Sequence, residues 1–313
     1  MSRRAVILLV VGLLVAATAT FLVLRDSDEG AIDVSLEQPT ATPDVADSDD
    51  APLRIAVAAM TSPKETFVHY EELLDYIGAK LGREVDLVQR ESYEEVNDLL
   101  EVGELDLAFV CTGAYVEGHD AFDMQIVAAP VAYGEPVYYS YLIVGDDSGA
   151  GALEDLRGTR FAFTDPLSNT GHLVPVYMLG QLGETPETFF ASTTYTYSHD
   201  TSIEAVSSGV VDGAAVDSLI YDYLKATASP TVDGTRILLT SPPYGIPPVV
   251  CHPDLDPALK DAFRTVLLDM HTDPVGRVIL AELHIDRFEV IDDAAYDSVR
   301  EMQAWLDANP PAE

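Results

Sequence analysis

Two stretches of this chain repeat one order of elements, and that repetition limits the possible folds more than any other feature. Residues 54–60 (RIAVAAM) read as a buried strand, after which Tyr70, Leu73, Leu74, Ile77 and Leu81 recur at helical spacing until Gly82 stops the run. Residues 84–89 (EVDLVQ) supply the next strand. Ser92-Tyr93-Glu94-Glu95 has the form of a capping box and opens a helix through Val96, Leu99 and Leu100 that Gly103 ends, before a strand at 105–110 (LDLAFV). The same order returns as a strand at 159–164 (TRFAFT), a helix with Leu173, Val174, Tyr177, Met178 and Leu182, a strand at 189–197 (FFASTTYTY), a helix with Ile203, Ala205 and Val206, and a strand at 211–216 (VDGAAV). Alternating units of this kind imply parallel strands covered by helices on both faces, and right-handed crossovers narrow the topology further. The fold class is therefore α/β, with two Rossmann-like lobes in one chain.

Between the halves, residues 125–145 (QIVAAPVAYGEPVYYSYLIVG) are apolar and aromatic, with room for two extended segments. Residues 236–251 (RILLTSPPYGIPPVVC) make a second extended crossing, and the amphipathic remainder to Trp305 is expected to return onto the first lobe. Two crossings between two lobes make a hinge and a cleft. The first lobe is assigned residues 53–132 and 245–313, and the second residues 133–244 with the hinge crossings. In open α/β sheets, ligands sit beyond the carboxyl ends of the strands and at helix N-termini, so both lobes aim such ends at the cleft.

Ahead of the first strand, residues 5–24 are almost wholly apolar and span about 30 Å as a helix, close to the thickness of a bilayer's hydrocarbon core. Arg3 and Arg4 precede the run and an acidic stretch follows, an arrangement that keeps the N-terminus inside and exports the rest. Residues 1–25 are thus expected to be a membrane anchor, with a cleaved signal ending near Ala19 as the alternative. Residues 26–52 contain no basic side chain and little to bury, as expected of an acidic tether. The chain of 313 residues carries 17 Lys and Arg against 53 Asp and Glu, for a net charge of −36, which excludes a phosphate backbone as partner. A carboxylate-rich surface of this sort suits high salt. Cys111 and Cys251 are too few for a disulfide framework and read as two buried thiols.

The second lobe's first strand runs into Asp165-Pro166 and then Ser168-Asn169-Thr170-Gly171 before its helix starts. Backbone N–H groups are unpaired at such a place and the helix dipole is positive, so hydroxyls and amides there bind an oxyanion without a fixed charge. The alternative is that Ser168 or Thr170 only caps its own helix. Gly171 suits close approach of a ligand to the backbone, and Pro175 confines the helix start to its vicinity.

The run Asp165-Pro166-Leu167-Ser168-Asn169-Thr170-Gly171-His172-Leu173-Val174-Pro175 resembles the Asp-Pro-x-Ser-x-Ser/Thr-Gly-x-Leu-x-Pro motif of the phosphate, phosphite and phosphonate-binding proteins of ABC importers. The resemblance extends over roughly residues 53–290. It implies a type II periplasmic-binding-protein fold, two lobes joined by a two-strand hinge, that captures a small phosphorus oxyanion by hinge closure and delivers it to a permease and an ATPase. It also implies roles for particular residues. Ser168, Asn169 and Thr170 would hold phosphoryl oxygens, Tyr93 and Tyr138 would contact the ligand from the first lobe and the first crossing, and His199 would contact it from the start of the fourth helix. Thr112, Gly113, His172, Asp217 and Tyr221 are further candidates. The family's aminophosphonate binders place acids at two positions that fall here near Leu219 and on Pro247, neither of them acidic, which leaves phosphate, phosphite, a simple phosphonate or another small oxyanion.

No nucleophile, metal cluster or acid/base pair with a recognisable spacing is present, so no cofactor, metal or catalysis is expected, although enzymes occur on related folds. A monomer that senses its ligand, rather than carrying it, would use the same anchor and tether.

Overall fold

The computed structural model describes residues 51–60 and 62–310. The expected anchor at 1–25 lies outside the described residues, as does the tether at 26–52 apart from Ala51 and Pro52. Among the described residues no helix is long and apolar enough to cross a membrane.

The doubled pattern builds two sheets. The first has strands in the order Arg287–Glu289, Gln125–Val131, Val249–Cys251, Leu107–Phe109, Leu53–Val57 and Val85–Val88. The last three are parallel, with Ile55 opposite both Leu107 and Leu87, as β-α-β units require. The 249–251 strand arrives from the second crossing and inserts antiparallel between 107–109 and 125–131. The second sheet repeats the plan in the order Thr235–Thr240, Ser140–Gly145, Gly213–Asp217, Arg160–Phe163 and Ser192–Tyr195, where the last three are parallel and 140–145 runs antiparallel to 213–217. Each sheet thus takes three strands from its own repeat and two from the segments that connect the halves, and the first adds Arg287–Glu289 from the C-terminal part at its edge.

The crossings pair with each other as a two-stranded ribbon, Tyr138 opposite Tyr244 and Val137 opposite Gly245. Residues 125–145 therefore hold three extended segments rather than two. Gly245 is required in the ribbon, since a Cβ there would stand 2.7 Å from the Ala295 carbonyl oxygen.

Several elements depart from the sequence reading for local reasons. The strand expected at 189–197 starts at Ser192, because Thr185 caps a helical turn, Pro186–Phe189, by accepting the Thr188 N–H. The helix Ser218–Ala226 has no counterpart among the expected elements; Asp217 caps it by accepting the Leu219 N–H. The helix after the polar turn opens as one wide π-type turn, Asn169–Leu173, and becomes α-helical at Val174–Gln181. Pro175 has no N–H to offer the Gly171 carbonyl, which accepts the Thr164 N–H instead at 3.1 Å.

The final helix, Asp297–Ala308, corrects a further expectation. It does not pack on the first lobe alone: Trp305 meets Tyr177 of the second lobe edge-on at 5.1 Å and leaves no space for a Cβ at Gly180, while Val299 and Met302 enter an apolar cluster shared by both lobes. That cluster joins Tyr93 and Val96 to Val174 through Tyr138 and Tyr244, so the lobes are in contact. Cys111 and Cys251 are free and buried, on opposite faces of the first sheet.

Candidate functional site

The carboxyl ends of strands from both sheets converge on one buried polar cluster. Its best-anchored member is Tyr93, the first residue of the helix Tyr93–Glu101. The capping box forms in full, Ser92 Oγ accepting the Glu95 N–H and Glu95 accepting the Ser92 N–H. The Tyr93 N–H is left free by that geometry and donates across the cleft to Asp165 Oδ2 at 3.1 Å. Asp165 accepts the Leu167 N–H with its other oxygen at 2.8 Å, closing the Asp-Pro turn on itself. Burial raises the Asp165 pKa and the two N–H donors oppose that rise.

Ser168 caps the wide turn by accepting the Gly171 N–H at 2.9 Å, so the capping role is filled. The close approach at Gly171 is made by the protein itself: a Cβ there would lie 2.5 Å from Thr164 Oγ1. Asn169 and Thr170 are the first residues inside the turn, where N–H groups lack an upstream carbonyl. Asn169 Nδ2 donates to Tyr138 Oη at 3.1 Å, which ties the turn to the hinge ribbon.

His199 begins the helix His199–Ser207 and donates its backbone N–H to the Met60 carbonyl of the first lobe at 3.0 Å. Its Nδ1 receives the Asp217 N–H at 3.1 Å. A backbone N–H can only donate, so Nδ1 is unprotonated and Nε2 carries the proton. Burial lowers the imidazole pKa to about 3, so the ring is neutral.

Four side-chain atoms in this cluster are buried and have no partner among the described residues: Tyr93 Oη, Asn169 Oδ1, Thr170 Oγ1 and His199 Nε2. Buried polar atoms are nearly always paired, and each orphan costs about 1–3 kcal/mol. They come from both lobes, and Tyr93, Tyr138, Asn169, Thr170 and His199 are all 0% exposed.

The other candidates serve elsewhere. Thr112 Oγ1 donates to the Gly245 carbonyl and ties the end of the third strand to the hinge. Gly113 faces the backbone of Leu167 across the cleft. His172 is half-buried, donates from Nδ1 to the Pro166 carbonyl and packs edge-on against Phe163 and Tyr195. Tyr221 lies in the second lobe's core, its Oη 3.1 Å from Thr235 Oγ1. Asp217 is buried with its pKa raised to about 7 by desolvation.

Cys111 is the member that residue-type reasoning passed over. Burial pushes its thiol up to about 11, while the N–H groups of Asn169 and Gly113 and the Ser168 hydroxyl nearby act in the opposite sense. Its place at the carboxyl end of the third strand was the available signal, as was the position of Asp165 in the Asp-Pro turn.

A chain with two α/β lobes, a two-stranded hinge and a set of buried neutral polar groups drawn from both sides of the cleft is a two-lobed binding protein. It belongs to the family described as ABC transporter, phosphonate, periplasmic substrate-binding protein, whose sequence profile matches residues 55–296. The phosphonates-binding periplasmic protein of Escherichia coli is 25% identical over 266 residues, 83% of this chain and 78% of that one. A binding protein component of an ABC phosphonate transporter from Pseudomonas aeruginosa superposes with a TM-score of 0.78 at 24% identity, covering 83% of this chain and 88% of that chain. PhnD1 from Prochlorococcus marinus, solved with methylphosphonate, superposes with a TM-score of 0.73 at 18% identity, covering 82% and 98%. The chain is accordingly the extracytoplasmic substrate-binding component of an ABC transporter, with a small ligand and a permease and ATPase as partners, and not an enzyme.

Proposed function

We propose that this protein captures a phosphorus oxyanion, phosphate, phosphite or a simple phosphonate, between its lobes, holds it with neutral donors only, and closes about the two-stranded hinge as it does so. The observation that carries this reading is the set of orphaned buried atoms on Tyr93, Asn169, Thr170 and His199. Tyr93 and Thr170 offer hydroxyls, His199 offers Nε2–H, and the first N–H groups of the 169–173 turn add backbone donors. Tyr138, whose oxygen already accepts from Asn169, has its own proton to give. Hydrogen bonds to an ionised oxygen contribute about 1.5–3 kcal/mol each, so roughly five of them reach the about 8 kcal/mol of a micromolar complex. The net charge of −36 slows approach of the anion, while screening over a Debye length of about 8 Å limits how far exposed carboxylates oppose the bound state.

The test uses substitutions that keep shape and delete one donor. Tyr93→Phe and Thr170→Val should each weaken phosphite and methylphosphonate binding about ten- to hundredfold in calorimetry. Because both hydroxyls are orphans, the unliganded variants should melt at or above the wild-type temperature. Unchanged affinity in both variants would refute the reading. In the same proposal the protein acts as a monomer, tethered to the outer face of the membrane by residues 1–25.

A further inference from the structure

Beside the polar cluster lies a cavity of about 110 Å³, and its walls have a different chemistry. It opens between the strand ends of the first lobe, at Val57, Phe109 and Val110, and the start of the 218–226 helix, at Leu219 and Ile220. Pro247, Pro248 and Ile246 of the return crossing form its floor. Asp217 joins it to the oxyanion cluster: the Asp217 N–H is bound to His199 Nδ1, while the residue itself lines the cavity. Asp217 is the sole carboxylate among the described lining residues, and its Oδ1 is engaged as a helix cap, accepting the Leu219 N–H at 2.7 Å. Aromatic rings stand at the edge, His284 lying 6.3 Å from Tyr133 and 5.2 Å from Tyr223. Tyr133 and His284 both hold left-handed backbone, φ 54° and 55°, a conformation that residues with a Cβ seldom adopt.

From this juxtaposition, and resting on the oxyanion reading above, we infer that the cavity receives the organic group of the ligand and that the preferred ligand is an alkylphosphonate with an uncharged chain of a few carbons. The volume agrees with that size, since an apolar cavity of about 150 Å³ accepts one benzene. An ammonium group would meet a single carboxylate among the described lining residues, one oxygen of which already accepts the Leu219 N–H, where aliphatic and aromatic side chains make up most of the wall. Bare phosphate or phosphite would leave the apolar walls without an occupant.

Calorimetry on the purified full chain decides it, with phosphite, methylphosphonate, propylphosphonate and 2-aminoethylphosphonate as probes. Affinity should rise about three- to fourfold per methylene from methyl to propyl. Leu219→Phe, which narrows the cavity, should lower the ratio of propylphosphonate to phosphite affinity about tenfold, and Leu219→Ala should move the optimum to a longer chain, so that one variant suffices if the other fails to fold. Phosphite binding with no gain from methyl to propyl overturns the inference and leaves the oxyanion reading intact. Tighter binding of 2-aminoethylphosphonate than of propylphosphonate also overturns it. Failure of every anion to bind the wild type removes the oxyanion reading itself, and this inference with it.

Discussion

Gly113→Ala tests hinge closure without touching a ligand-facing group. Gly113 is the second residue of the helix Thr112–Phe122, and a Cβ added there would lie 2.2 Å from the Leu167 carbonyl oxygen and 3.0 Å from the Asn169 nitrogen. Both atoms are backbone of the opposite lobe, so no side-chain rotation relieves the contact. An ordinary carbon–oxygen approach is about 3.3 Å, so the two surfaces must part by roughly 1 Å. Overpacking of this degree costs about 1–3 kcal/mol, and the clash exists only when the lobes meet. The whole cost therefore falls on the closed state, and at about 1.4 kcal/mol per decade the variant should bind methylphosphonate about five- to 150-fold more weakly. The open form should lose nothing, because alanine is the better helix former by about 1 kcal/mol. Calorimetry gives the affinity, thermal melts of the unliganded protein give the stability, and small-angle scattering with saturating ligand gives the dimensions. Wild-type affinity in Gly113→Ala would refute the argument, and so would a fall in unliganded melting temperature large enough to account for the lost affinity.

The pH dependence of stability should carry the signature of Asp217. Its folded pKa of about 7 lies above the ordinary carboxyl value of 3.8, so between these values the folded state binds more protons than the unfolded one and stability falls as pH rises from about 4 to about 7. Asp217→Asn keeps the helix cap and removes that penalty, so its stability relative to wild type should rise over this window by at most about 4 kcal/mol; denaturant midpoints that differ equally at pH 4.5 and pH 7.5 would contradict the assignment. His199 acts with the opposite sign, since a folded pKa of about 3 against 6.5 makes stability fall as pH drops below about 6.5; its imidazole resonances should not titrate between pH 5 and 8, and a transition near 6.5 would show a charged ring. The anchor at residues 1–25 should hold the mature protein in the membrane fraction with its N-terminus intact, and a soluble form that begins near Thr20 would replace the anchor by a cleaved signal.

Much of the fold was legible because it depends on short-range pattern. Apolar alternation and helical spacing marked both β-α-β-α-β runs, Ser92 and Glu95 announced a cap that forms as read, and Gly82 stops its helix with φ 68°. The Asp-Pro-x-Ser-x-Thr-Gly run identified the turn, and Tyr93, Tyr138, Asn169, Thr170 and His199 do meet around it. What pattern alone could not supply was long-range. Ser168 and Thr170 look equivalent in sequence, but only contacts with Gly171 leave the first engaged as a cap and the second unpaired. His199 became a defined donor because Asp217, 18 residues away, claims its Nδ1. Tyr221 and His172 read as site residues and fold into other surroundings, since residue type does not say which side of a helix faces the cleft. Cys111 and Gly113 matter through the backbone of Asn169 and Leu167 in the other lobe, a contact created when two separately specified lobes come together. Local sequence thus determined the elements and the polar turn, while the tertiary structure decided which donors were left without partners, because pairing depends on neighbours that only the assembled chain provides.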